Sequence, residues 1–468
     1  MSELHLPSLE LAILTPLLGA VWVSRLRNPA AARRWTIVCC GLTLTFAVAA
    51  WLDLLVLHVS EAAGLGNLWH ALTGRHLLAL DRFSAPFIPL TSLLYFLTIL
   101  ATAGAKVQRF AFRRSLLSQA IVLATLSTQE SWLVIGLLSA ETVLPYLELR
   151  ARAKPTRVFA WHAACFVVLM IAGRAVLEIS GGSAVQNRWA VILLLGAVFI
   201  RSGMPPAHCW VTDLFEHASF GTALLFVTPL VGAYAAVRLV LPVADDGVLH
   251  VLGWVSLAMA VYAAGMALVQ KNARRFFCYL FLSHSSLVLV GLGTATTLGM
   301  TGALCVWLSV SLALSGLGLS LRALEARHRQ LSLTRFHGLY EHTPSLAVCF
   351  LLTGLASVGF PGTFGFWSNE LLVEGALETY PHVGIAVVFA AALSGVAIVK
   401  VYFLLFTGTR HVSTVPLHVG KRERVAVSIL ATLILGSGLF PQPAVLARQK
   451  AAAQLIESGR LRSRAVGG

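Results

Sequence analysis

This sequence is poor in charge. Only 12% of its 468 residues are Asp, Glu, Lys or Arg, against 57% hydrophobic, and the mean hydropathy is +0.80. A soluble globular chain carries roughly 25% charged residues, so that class is excluded, and disorder is excluded on the same ground. No polar stretch has room for a soluble catalytic domain of about 100 residues. There is no P-loop, dinucleotide fingerprint, HExxH or nucleophile elbow, so no catalytic site is expected within the chain. The seven cysteines (Cys39, Cys40, Cys165, Cys209, Cys278, Cys305 and Cys349) lie mostly in apolar runs and form no CxxC pair. They read as packing residues, not as a disulfide set or a haem or cluster site, and no metal or cofactor is expected. The N-terminus lacks a basic n-region and an A-x-A site, so residues 9–23 are expected to form a first span and not a removed signal.

What the chain does have is apolar length. Runs fall at 9–24, 36–57, 85–104, 115–128, 131–149, 158–180, 188–204, 220–242, 248–270, 275–296, 299–321, 344–361, 382–408 and 424–444. A spanning helix needs about 20 mostly apolar residues, which predicts an all-α, polytopic membrane protein of about fourteen spans. Basic residues fill alternate loops: Arg25–Arg34 after span 1, Lys106–Arg114 after span 3, Arg150–Arg157 after span 5, Lys271–Arg275 after span 9, Arg322–Arg335 (with Arg329) after span 11, and Arg410–Arg424 after span 13. The loop after span 7 has histidines in their place. The intervening loops hold Glu61, Glu130, Asp245, Asp246, Glu374 and Glu378. That alternation puts the basic loops in the cytoplasm and both termini outside, although the basic tail at 460–464 then sits on the wrong side. The net charge of +15 is accounted for by orientation and by contact with anionic lipid, so nucleic acid is excluded as a partner and the bilayer is expected as one.

A weak internal repeat runs through the chain. Gly203-Met204-Pro205-Pro206 is followed by Trp210 and Asp213, and Gly359-Phe360-Pro361-Gly362 by Trp367 and Glu370. Proline removes a helical donor and clashes with the preceding turn. Spans 7 and 12 are therefore expected to break at these points. Because they run in opposite directions, the pair suggests inverted repeats with function at the breaks.

Ionisable groups inside spans are costly and mark function by default. Glu141 in span 5 is either a working carboxylate or half of a structural ion pair. Arg201 at the end of span 7 is either a midplane charge or an interfacial arginine. His208 after the break and His284, among Ser283, Ser285 and Ser286 in span 10, are either proton relays or hydrogen-bonded core histidines. Glu370 beyond the second break and Lys400 in span 13 complete the set. Arg174 and Glu178, four apart in span 6, are expected to pair with each other.

Three segments resemble a known family. Residues 199–213 resemble its Lys-Ser, proline-turn, His, Trp-Leu, Asp signature. Residues 267–276 resemble its segment between spans 9 and 10. Ser357-Val358-Gly359-Phe360-Pro361-Gly362-Thr363 with Phe366 and Glu370 resembles its Gly-x-Pro-Gly-Thr…Phe…Glu motif. The family comprises the antiporter-like subunits of NADH:quinone oxidoreductase, of multi-subunit Na+/H+ antiporters and of membrane-bound hydrogenases. The resemblance implies two inverted five-span repeats: residues 1–110 hold spans 1–3, 111–242 the first repeat, 243–410 the second, and 411–468 span 14 and the tail. It also implies a midplane chain of charges with Glu141, Arg201 and Glu370 at family positions, Glu141 and Arg201 interacting.

The function implied is that of a membrane-arm subunit in a cell inner membrane. It conducts protons or Na+, coupled to redox chemistry in partner subunits. The alternatives are a non-conducting structural subunit, or the antiporter-like subunit of an inorganic-carbon uptake complex. The chain departs from the family pattern in that residues 220–237 lack His and Lys, residues 306–320 show only Trp307 and serines, and arginine stands at 201, where it cannot release a proton.

Overall fold

The computed structural model describes residues 7–57, 77–179, 184–328, 330–409 and 418–467. Glu61, Arg329 and Arg410, and the side chains of Arg109 and of residues 460–464, lie outside what is described. Among the described residues the regular elements are all helical, with an isolated bridge between Asn272 and Ser332. The chain divides into two compact units, Met1–Ala153 and Lys154–Gly468.

The first unit holds α1 (Ser8–Ser24), α2 (Pro29–Leu52), α3 (Phe87–Leu100), α4 (Phe112–Leu126) and α5 (Ser131–Ala151). Caps set the starts. Asn28 accepts from Ala30 N ahead of Pro29, and Glu130 accepts from Leu133 N at 2.6 Å, which satisfies orphan donors of the first turn. Ala20, Cys40, Ile99 and Leu116 form the core where α1, α2, α3 and α4 meet. Gly19 allows the close approach, since a Cβ there would stand 2.8 Å from Cys39 Sγ.

The second unit holds α6 (Arg157–Ile179), α7 (Ala184–Ser202), α8 (Cys209–His217), α9 (Phe220–Val227), α10 (Val231–Ala235, running into a π turn at Ala236–Val240), α11 (Asp246–Val269), α12 (Ala273–Gly293), α13 (Thr297–His328), α14 (Pro344–Ser357), α15 (Phe364–Thr379), α16 (Pro381–Phe406), α17 (Lys421–Leu439) and α18 (Gln442–Gly467). Asp245, Asn272 and Ser219 cap α11, α12 and α9. α13, the longest at 32 residues, is the axis on which α12, α14, α15, α17 and α18 pack. α12 is buried continuously from Phe276 to Gly293, the mark of a helix enclosed on all sides. α6, α11 and α16 instead expose Trp161, Val251 and Val396.

Eight described helices are long and apolar enough to cross a membrane, or nine if Lys421–Leu439 and Gln442–Glu457, bent by 80°, count as one span. Three shorter apolar helices, α1, α3 and α14, add to them. This is fewer than the fourteen runs of the sequence because several runs form helices too short to cross alone, α1 at 17 residues and α3 and α14 at 14 each. The stretch after residue 441, expected only as a tail, is a 26-residue helix against α13.

Candidate functional site

Three breaks interrupt the apolar helices between Ala184 and Thr379. α7 stops at Ser202 and α8 begins at Cys209, with Gly203 at φ +70° and a cis Pro205–Pro206 bond between them. Gly203 meets both demands of a glycine, for a Cβ would lie 2.7 Å from Leu282 Cδ2 and the angle is left-handed. α14 stops at Ser357 and α15 begins at Phe364, with Gly359 at φ +90°, Pro361, and Gly362 at φ +84° between. The third break divides span 8. α9 ends at Val227 and α10 starts at Val231, with Pro229 inside the gap and Leu230 at φ +53°, a conformation that costs a non-glycine residue. The carbonyls freed there are taken by α13: Ser311 Oγ donates to Thr228 O at 3.0 Å and Trp307 Nε1 to Pro229 O at 3.2 Å.

Arg201 lies where the first and third breaks approach each other. It is 6% exposed. Its guanidinium donates through Nη2 to Phe226 O at 3.2 Å and stands 4.1 Å from the centre of the Phe226 ring and 5.7 Å from that of Trp210. Trp210 is fixed in turn, donating to Ile200 O at 2.7 Å and meeting Phe159 and Phe226 edge-on at 5.9 Å, while those two rings meet each other tilted. A desolvated cation against two rings is stabilised by about 2 kcal/mol. A cavity of about 20 Å³ between Arg201, Ser202, Trp210, Leu230 and Ser285 has room for about one water. The chemistry available here is a permanent, oriented positive charge with hydroxyls beside it.

α12 reaches two of the breaks. Ser286 Oγ lies 3.8 Å from Met204 Sδ at the first. His284, 1% exposed, holds Leu280 O at 2.8 Å through Nδ1 and meets the Ser357 backbone at the second. The other charged candidates are elsewhere. His208 is half-buried beside Tyr262 and Tyr279, at ring distances of 5.9 and 6.3 Å. Glu370 is exposed on α15. Lys400 is exposed on α16 and donates to Leu268 O at 2.9 Å. Pro205, Pro206, Pro361 and Gly362 are exposed in their breaks. Glu141 belongs to the first unit, where it is 1% exposed on α5 and interacts electrostatically with Tyr95. Arg174 and Glu178 do pair, at 3.0 Å.

A family described as NADH:quinone oxidoreductase/Mrp antiporter, TM, matches residues 162–394, the stretch that holds all three breaks, Arg201 and His284. The chain belongs to this family. NAD(P)H-quinone oxidoreductase chain 4 1 of Synechococcus elongatus is 27% identical over 400 residues, covering 78% of this chain and 75% of its own. In structure, a chain of respiratory complex I from Thermus thermophilus with bound NADH aligns with a TM-score of 0.84 at 20% identity, over 96% of this chain and 99% of its own. A chain of the Mrp complex from Dietzia sp. DQ12-45-1b aligns with a TM-score of 0.83 at 19% identity, over 99% of each.

Within this antiporter-like fold the sequence reading missed the aromatic walls around Arg201 and the break in span 8. Pro229 was a signal for the latter. Nothing in one sequence ties Phe159 and Phe226 to Arg201, because those contacts join segments far apart in the chain.

Proposed function

We propose that this chain is a proton-conducting, antiporter-like subunit in the membrane arm of a multi-subunit respiratory or antiporter complex of a cell inner membrane. The observation that carries the proposal is the meeting of broken helices around a buried, oriented cation inside the stretch that matches the family. Half-helices within a membrane aim their backbone dipoles at a shared centre, and buried charge in a span is kept for ion movement. We read the chain as fourteen spans in two inverted repeats, 111–242 and 243–410, after three N-terminal spans and before span 14. The broken spans 7 and 12 open towards opposite faces, and both termini lie outside. Glu141, Arg201, His208, His284, Glu370 and Lys400 are the charged and polar stations of the path. The redox chemistry belongs to partner subunits.

A second reading is favoured by the hold on Arg201. A guanidinium fixed by rings and a carbonyl cannot pass a proton on, so the first half of the path serves as a static field while His284 and water carry protons. Its limit is a structural subunit that does not conduct. Reconstitution separates these outcomes. Proteoliposomes holding the whole complex should acidify on turnover, and His284→Ala should reduce the proton yield at least tenfold with subunit assembly intact. Unchanged proton yield in His284→Ala, Glu141→Gln and Glu370→Gln together would leave only the structural role.

A further inference from the structure

One flank of the second unit carries features that, Lys400 apart, the proposed path does not include. α11 and α16 pack side by side and leave an apolar surface open: Val251, Tyr262, Val269, Ile385, Val396 and Phe403 are all exposed. At one end of it Trp254 stacks on His382 at 5.1 Å and Tyr380 joins them, the kind of aromatic belt that sits at headgroup level. At the other end Lys400 sends its ammonium to the last turn of α11, where carbonyls lack helical partners. His382 to Lys400 is about 27 Å of helix, close to the roughly 30 Å of a bilayer core.

Beyond Lys400 the surface opens into a polar cleft of about 350 Å³, lined by Gln270, Lys271, Asn272, Arg275, Gln330 and Glu216 among others. Its cations are not equally available. Arg274 is consumed, donating to both oxygens of Glu325 and to Phe215 O and Ala218 O. Arg275 is shared with Glu216 at 2.7 Å. Lys271 is exposed and pairs with no carboxylate among the described residues. The Lys400 ammonium, bonded at Leu268, lies one residue along the chain from Val269 in the cleft wall.

We propose that this cleft binds the phosphate of an anionic phospholipid, held by Lys271, Lys400 and Arg275, with an acyl chain lying along the α11–α16 surface. Basic pockets at the rim of spanning helices recognise phosphate headgroups in this way. The apolar surface of bilayer length, ended by a belt on one side and a snorkelling lysine on the other, is what a lipid and not a soluble anion fits. The proposal needs the chain to be a membrane protein and does not depend on proton conduction.

The test is native mass spectrometry of the whole complex, purified in mild detergent and titrated with dioleoyl phosphatidylglycerol. The wild type should retain one phosphatidylglycerol that phosphatidylcholine does not replace. Lys271→Gln should weaken its binding about fivefold, and Lys271→Gln with Lys400→Gln about 25-fold. Lys271→Arg should keep the affinity, which excludes misfolding as the cause, and Lys106→Gln should be without effect. Equal retention by wild type and double variant would overturn the site. Displacement by millimolar inorganic phosphate would show a soluble-anion site instead. A crosslink from Val396→Cys to a neighbouring subunit would show the flank to be a protein interface. A complex that keeps the lipid and moves no protons would refute the conduction reading alone.

Discussion

At residue scale, what decides a charge's role is whether its surroundings let it change. Arg201 has a carbonyl and two rings in place, so its charge and its position are both fixed. Phe226→Leu keeps most of the volume and removes the ring, and should lower stability by about 1–2 kcal/mol, read as earlier thermal loss of the subunit from the purified complex. Arg201→Lys should assemble normally. Arg201→Met should cost about 3–5 kcal/mol if an opposite charge is left without its partner, and normal assembly of that variant would argue that none depends on it. Ion pairs sort the same way. Arg274–Glu325 and Arg327–Glu423 are largely buried, at 2.8 and 2.6 Å, whereas Arg275–Glu216 is about half exposed. The Arg275 guanidinium, hydrogen-bonded to Glu216, holds that carboxyl below its usual range. A lowered folded-state value stabilises above the unfolded value of about 4.3, and that contribution disappears as pH falls through the folded value. Being solvent-exposed, it is worth less than about 1 kcal/mol. Glu216→Gln should therefore shift the melting profile by a small constant amount between pH 6 and 8, and the shift should shrink as pH falls below about 4.3 and on through the lowered folded-state value. Glu325→Gln should cost about 3–5 kcal/mol at neutral pH. Equal effects of the two variants would show that burial is not what separates them.

At the scale of elements, the breaks show what was legible in the sequence and what was not. The segments Gly203–Pro206 and Gly359–Gly362 announce themselves, because glycine and proline act on their own backbone, and α7 and α14 stop beside them. The gap at Thr228–Leu230 depends on bonds from Trp307 and Ser311, some 80 residues away, and in the sequence it looks like a continuous apolar run with one proline in it. The close approach of α10 to the end of α7 was equally hidden. It rests on Gly232, where a Cβ would stand 2.5 Å from Ser202 Oγ. Gly232→Ala should accordingly cost about 1–3 kcal/mol by overpacking. Ser202→Ala removes the obstructing atom, whose hydroxyl has no hydrogen-bond partner among the described residues, and should be close to neutral alone. The double variant should recover most of the loss in subunit incorporation. A double variant as impaired as Gly232→Ala would mean that backbone freedom at 232, and not the contact, is what matters.

At the scale of the whole molecule, sequence gave the class directly, because hydropathy is a sum over many residues and tolerates local error. Counting spans is harder. Among the described residues, length and apolarity alone find eight or nine, since helices such as α1, α3 and α14 fall below the length of a single crossing helix. Loop charge supplies independent information, because basic residues alternate between connections whether or not the helices between them are continuous. The two criteria make different forecasts. With fourteen spans, residue 30 between α1 and α2 lies inside and residue 245, the cap of α11, lies outside, an odd number of crossings apart. The test is cysteine substitution at each position in a background with the exposed Cys165 and Cys209 replaced by alanine, labelled from outside by a membrane-impermeant maleimide. Residue 245 should react in intact cells and residue 30 only after permeabilisation. Reaction of both from one side would remove one crossing from the reading. It would then place the Lys271–Arg275 loop and the α18 helix on faces opposite to those argued here.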